Sequence, residues 1–446
     1  MLGRHPRRAK ARVTIGILLL FVVAACGSEP KKPGSTPNDG RAQPGGSGAV
    51  LVPVDGGPDY YAKFSPGLPT DPGFFPIAVW YESVASADDV RVDKEAGLNS
   101  YVELTADSNF QAIADGKMYA IPSEAGDDHG KETVGWLLAD EVDMWAGGGN
   151  GKWTGNFPGE GDICVSGQTD CGYSLLNKQR AELPKDKRLR FANYGKGVLF
   201  WLDEGEAEHF VNTFSDVVST DIYWFTDQNV CGHGEGGTIF EGQDLDKATC
   251  RRAANYGFVV EKVRSMIKPA NSKPVWGFVE VGQPSEGAPM IKPEQITAAV
   301  WSMIINGARG IMYFNHSFYG DCRSQHALRE PCYAANRAAV TAVNKRIAAL
   351  APVLNAPFAD GVLNAPNGVD ASVKWHDGHF YILAGSAEAA GGKATLSLPC
   401  VGNATVTVLD ENRTLQMITG MFTDDFADGN AVHIYRVDGG SSCGLT

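Results

Sequence analysis

Between Phe74 and Pro357, short apolar runs of strand composition alternate eight times with helical patterns or long polar loops. No other property of the chain restricts its fold as much, because a strand that needs a crossover before its next neighbour belongs to a parallel sheet. The runs are Phe75–Trp80, Ser100–Leu104, Met118–Pro122, Val134–Ala139, Leu189–Asn193, Val217–Phe225, Pro274–Val279 and Gly310–Phe314. Helical stretches are expected at Ser86–Ala96, Asn109–Asp115, Asp246–Ile267, Pro293–Asn306 and Tyr333–Leu350, with Gly97 and Gly307 placed to stop the first and fourth. A barrel of eight such units takes about 250 residues before its loops are enlarged, whereas a flavodoxin-like sheet is far shorter. The expected core is therefore a (β/α)₈ barrel over residues 58–357.

After Pro357 the period changes to two. Val373–His376, Phe380–Ala384, Ala394–Leu398, Ala404–Leu409 and Ala431–Arg436 read as short alternating strands between Gly, Asn and Asp turns. The expected class is thus α/β, a (β/α)₈ TIM barrel followed by a small C-terminal β-sandwich at 358–446. The sandwich is read as structural support or as a carbohydrate-binding module.

The amino terminus sets the expected address. Arg4, Arg7, Arg8, Lys10 and Arg12 precede the apolar run Val13–Ala25, which is too short for a comfortable membrane span and ends in small residues, as a secretory signal does. Val23-Ala24-Ala25-Cys26 resembles the lipobox of bacterial lipoproteins, which implies that Cys26 is lipidated and that residues 1–26 form the signal region. Residues 27–57 are rich in Gly, Pro and Ser and are expected to be a disordered tether.

Eight further cysteines fall as neighbours in sequence, and short loops are the least costly to close. Local bridges Cys164–Cys171, Cys231–Cys250, Cys322–Cys332 and Cys400–Cys443 are expected, out of 105 possible pairings. No cysteine or histidine cluster has zinc spacing, so neither a metal nor a cofactor is expected. The formal charge of −13 argues against nucleic acid, whose phosphates require a basic face. The partners expected are a carbohydrate and, through the lipid alone, a membrane, with the protein a monomer.

Glu141 and Glu280 each end an apolar run flanked by aromatic residues, at the carboxyl ends of the fourth and seventh strands. Carboxylates so placed suit glycoside hydrolysis, in which one carboxyl protonates the leaving oxygen and another attacks or stabilises an oxocarbenium-like carbon. Phe75–Trp80, Asp140-Glu141 and the helix, turn and aromatic strand from Trp301 to Phe314 together resemble the superfamily of (β/α)₈ glycoside hydrolases. That resemblance covers residues 74–350 and implies Glu141 as acid/base and Glu280 as nucleophile of a retaining mechanism. Asp140 departs from it, because the superfamily usually carries Asn there, so contact with the sugar 2-hydroxyl changes.

Further strand-end groups are candidate substrate contacts: Glu103, Glu124, Asp140, Asn193, Tyr223, Asn315 and His316 as polar partners, and Trp80, Trp224 and Tyr313 as stacking rings. The rings serve a core equally well, and Asp143, just past Glu141, serves equally as a structural ion-pair partner. The competing functional class is a catalytically silent carbohydrate- or cell-wall-binding barrel lipoprotein. A solute-binding lipoprotein would show two lobes in place of eight βα units.

Overall fold

A computed structural model describes residues 48–146, 152–153, 172–240 and 242–445, with the side chains of Trp145, Ala146, Lys152, Trp153 and Ser441 outside that description. Cys26, the signal region, residues 27–47 of the tether and the Cys164–Cys171 pair lie outside the described residues.

Eight parallel strands form the barrel: β1 (Ile77–Glu82), β2 (Ser100–Leu104), β3 (Tyr119–Ile121), β4 (Gly135–Asp140), β5 (Leu189–Tyr194), β6 (Val217–Thr220), β7 (Val275–Glu280) and β8 (Ile311–Phe314). Their hydrogen-bonded order is β3-β2-β1-β8-β7-β6-β5-β4. The ring closes between β3 and β4, where Ala120 N–H donates to Glu132 O at 2.8 Å and Val134 N–H to Ala120 O at 3.0 Å. Side chains alternate across each strand. One set, including Trp80, Val102, Leu137, Phe191, Val217, Trp276, Phe278 and Met312, fills the barrel interior. The other packs outward against the helices.

The helices follow the sequence chemistry closely. Ser86 caps α1 (Ala87–Glu95) through a reciprocal hydrogen-bonded box with Asp89, and Asn109 caps α2 (Phe110–Asp115). Next come α3 (Gly172–Glu182) and α4 (Glu204–Thr213), and then α5 (Ala254–Met266), α6 (Pro293–Ile305) and α7 (Ala334–Leu354). The single long helix expected over 246–267 is broken at Arg251–Ala253 into a turn, Lys247–Cys250, and α5. A single π-helical turn, Gly197–Trp201, follows β5, and such turns are frequent at functional sites.

Beyond the barrel, a seven-stranded antiparallel sheet runs Val50–Val52, Phe358–Asp360, Val369–His376, His379–Ser386, Val432–Asp438, Ala404–Val408, Arg413–Met417. A ribbon of Gly392–Ser397 and Met421–Phe426 shares its core, with Phe422 against Tyr435 at 4.9 Å between ring centroids. The expected tether is corrected at its carboxyl end. Val50–Val52 pairs with Phe358–Asp360, and Asp55 is buried with both carboxyl oxygens on Arg264, at 2.6 and 2.9 Å. An ion pair and a strand partner distant in sequence supply the order that local composition lacks. Among the described residues, Cys231–Cys250, Cys322–Cys332 and Cys400–Cys443 are bonded as expected, and no helix is long and apolar enough to cross a membrane.

Candidate functional site

Interior-facing positions at the carboxyl ends of parallel strands converge on one mouth, so the alternation along each strand decides which polar groups meet there. On β5, Phe191 faces inward, and so does Asn193; β6 continues inward through Ser219 to Asp221. The Asn193 side chain joins three elements. Its amide donates to Asp140 at 2.8 Å and to Asp221 at 2.9 Å, while its oxygen accepts from Ser219 at 2.6 Å. The Tyr223 hydroxyl donates to the other oxygen of Asp221 at 3.0 Å.

Glu141 sits beside this chain of groups with φ at +49°, a left-handed backbone conformation that costs a non-glycine residue roughly 1–3 kcal/mol. Such strain persists only where the surroundings impose it. Here Glu141 N–H donates to Asn193 O at 3.0 Å, and Met144 N–H closes back on Glu141 O at 2.9 Å. Asp143 fixes the facing segment by accepting from Gly195 and Val198 N–H at 2.9 and 2.8 Å, so it is a structural clamp on the turn after β5.

A cleft of about 450 Å³ opens at this mouth, lined by Glu141, Met144, Lys196, Trp201, Asp221, Tyr223, Asp227, Glu235 and Ser285. Lys196 bridges Asp227 at 2.7 Å and Glu235 at 2.6 Å; burial opposes its charge, but these carboxylates outweigh burial and hold it protonated. Burial pushes the Glu141 carboxyl well above the usual range, reinforced by the charges of Asp221, Asp140 and Asp143 and opposed by Lys196. Asp221 is also raised, by burial and then by Asp140, against the hydrogen bonds from Asn193 and Tyr223. Asp140 is exposed as a residue, yet burial of its carboxyl raises it to about 6, against the hydrogen bond from Asn193. Carboxylates this close hold protons between them, and the group with more donors takes the negative charge. Asp221 has two donors.

The remaining expected groups divide. Glu103, with φ at +58°, accepts from Ser123 at 2.9 Å and is raised to about 7 by burial, with Asp140 and Glu124 adding to the rise. Glu124 is exposed on the rim. Glu280 ends β7 on the same inward face as Trp276 and Phe278, and it is 0% exposed, with both oxygens on the Tyr256 hydroxyl at 2.8 Å and one on Thr226 at 3.0 Å. Burial raises it to about 7.

Three stacking candidates are corrected. Trp80 points into the barrel against Phe278, at 5.5 Å between ring centroids. Trp224 is fully buried against Phe200, and Tyr313 faces outward, its hydroxyl donating to Asn344 at 2.6 Å. Asn315 is structural, bonded to Glu82 and accepting from Leu328 N–H at 2.7 Å. His316 is neutral: burial lowers its imidazole, and Nε2 donates to Tyr81 O at 3.0 Å.

Asp221 was absent from the expected site. Ile222–Phe225 extend the apolar run of the sixth strand in sequence, whereas the strand ends at Thr220. The aspartate that truly ends it is followed by a buried turn. A separate cavity of about 310 Å³ lies at the opposite end of the barrel, among Pro58, Pro76, Arg309 and Trp375, where this fold usually invests in stability. Among the described residues no group of histidine, cysteine or carboxylate side chains is arranged to hold a metal ion.

Fold and site together define a (β/α)₈ barrel with an acidic cleft at the carboxyl ends of its strands. No family model and no curated protein matches the chain. Among solved structures, a catalytic mutant of a GH42 beta-galactosidase from G. stearothermophilus is similar at 9% identity over 81% of this chain and 98% of that one, with a TM-score of 0.51. A glycoside hydrolase family 5 protein from Bacteroides vulgatus is similar at 12% identity over 90% of this chain and 95% of its own, with a TM-score of 0.47. At 9% identity the likeness to the first is one of fold.

Proposed function

We propose that the protein is a glycoside hydrolase in which Glu141 is the acid/base and Asp221, in place of Glu280, is the opposing carboxylate. The observation that carries this is the shared cleft: Glu141 and Asp221 both line it, and after burial Asp221 is the strongest influence on Glu141. A raised Glu141 is protonated and able to give its proton to the leaving oxygen. Burial raises Asp221, but the hydrogen bonds donated by Asn193 and Tyr223 favour its ionised form, which attacks the anomeric carbon as the glycosidic bond breaks. Glu141 then takes a proton from water, which displaces Asp221 and releases the sugar. Carboxyl groups about 5–5.5 Å apart give this retaining outcome, and a separation of roughly 6.5–9.5 Å gives inversion.

The address completes the reading. Lipidation at Cys26 would hold the enzyme on the outer face of a bacterial membrane, with residues 27–47 as the spacer. The test is hydrolysis of a panel of aryl glycosides and cell-wall and plant polysaccharides by the full-length protein, with the first-formed anomer read by NMR. Turnover with retained configuration, lost in Glu141→Gln, is expected. A protein that binds glycans but hydrolyses none of them contradicts the reading.

A further inference from the structure

Aromatic rings at the rim of β1 and β8 form a continuous path out of the acidic cleft. Tyr223, whose hydroxyl donates to Asp221, packs against Phe314 at 5.1 Å between ring centroids. Phe314 meets His316 at 5.0 Å, and His316 meets both Phe318 and Tyr81 at 5.7 Å. The two outer rings are the exposed ones, Tyr81 at 42% and Phe318 at 44%, among few large apolar side chains left in water among the described residues. An exposed apolar patch continuous with a polar cleft marks a binding surface.

The backbone has been bent to make it. Tyr81 lies at φ +50°, a conformation that costs an aromatic residue free energy and is therefore held by its surroundings. The holding group is visible: neutral His316 donates from Nε2 to Tyr81 O at 3.0 Å. The loop bearing Phe318 is fixed as well, by paired Ser317 and Ser324 backbone hydrogen bonds at 2.7 and 3.0 Å, by Ser317 Oγ accepting from Gln283 N–H at 2.8 Å, and by the Cys322–Cys332 disulfide. Rings fixed before the ligand arrives lose little entropy on binding.

The geometry points to this ridge as an extended glycan platform, on which successive sugar units of a polymeric substrate stack as the chain leaves Asp221. The inference rests on the glycosidase reading and deepens it: the substrate is a chain several sugars long, and a monoglycoside reaches only the cleft end. Sugar rings present apolar C–H faces to aromatic rings while their hydroxyls stay hydrated, which suits exposed Tyr81 and Phe318 beside an acidic, uncharged-ligand cleft.

Affinity electrophoresis tests the platform apart from catalysis. Full-length Glu141→Gln protein is run through gels containing xylan, laminarin, galactomannan, arabinogalactan or starch, beside the same protein also carrying Tyr81→Ala and Phe318→Ala. At least one polysaccharide is expected to retard the first, with apparent affinity falling about tenfold or more in the second while the melting temperature stays the same. Phe318→Tyr should restore retardation. Equal mobility of the two proteins in every gel overturns the platform. Wild-type hydrolysis of the same polysaccharides is scored separately, so loss of hydrolysis alone counts against the glycosidase reading, and unchanged binding in the ridge variants counts against the ridge.

Discussion

The side-chain amide of Asn193 donates to Asp221 at 2.9 Å from the end of β5, and the same nitrogen donates to Asp140 at 2.8 Å. One residue thus orients two carboxylates and supplies Ser219 with an acceptor. Asn193→Ala leaves these buried partners unsatisfied, at about 1–3 kcal/mol for such a group. A lower melting temperature is expected, with kcat reduced more than KM is raised. Unchanged kcat in a folded variant would remove Asn193 from the positioning of Asp221.

Glu280 makes stability depend on pH. Its carboxyl is raised by burial from 4.5 to about 7, so the folded state keeps a proton that the unfolded chain releases. Its contribution is fully present below about pH 4.5 and is lost as pH rises through about 7; at 1.36 kcal/mol per pH unit this is on the order of 3 kcal/mol. Glu280→Gln mimics the protonated form and keeps a partner for Tyr256. Thermal melts between pH 4.5 and 8 should therefore decline less steeply in Glu280→Gln than in the wild type.

Cys231–Cys250 closes the loop that carries Glu235, just after Asp227, across a sequence separation of 19. Replacing both cysteines by serine should cost about 2–4 kcal/mol. Loss of the clamp should also free Lys196 and raise KM, measured beside a melting curve. A melting temperature unchanged by the double replacement would show that the connection is held by other contacts.

Cys26→Ala should release the protein from membranes or leave an unprocessed precursor. Fractionation and intact mass decide it, and an unchanged pattern in both would count against lipidation.

The barrel was legible because each parallel strand is buried on both faces and so reads as an apolar run between turn formers, from Ile77–Glu82 to Ile311–Phe314. What sequence did not convey was direction. Tyr313 and Phe314 are adjacent aromatics on β8, but the first packs outward on Asn344 and the second faces the mouth. The same ambiguity placed Trp80 and Trp224 in the cleft. Helix α4 escaped notice because Glu204–Thr213 carries only a thin apolar stripe, Ala207, Phe210 and Val211. The proposed partner of Glu141, Asp221, was hidden by Ile222–Phe225, whose hydrophobicity serves a buried turn in tertiary contact with α5, where Tyr256 stacks on Phe225 at 5.5 Å. Glu280 met every local criterion, and its enclosure by Tyr256 and Thr226, which no local pattern conveys, is the ground on which Asp221 is proposed in its place.

The most direct test compares kcat of Asp221→Asn and Glu280→Gln on one hydrolysed glycan, with melting curves to confirm that both variants fold. Removal of a reacting carboxylate lowers turnover by about 10²–10⁴-fold or more. The expected result is a loss of that size in Asp221→Asn and a loss below about tenfold in Glu280→Gln. A nearly active Asp221→Asn beside an inactive, folded Glu280→Gln would contradict the assignment of the Glu141 and Asp221 pair.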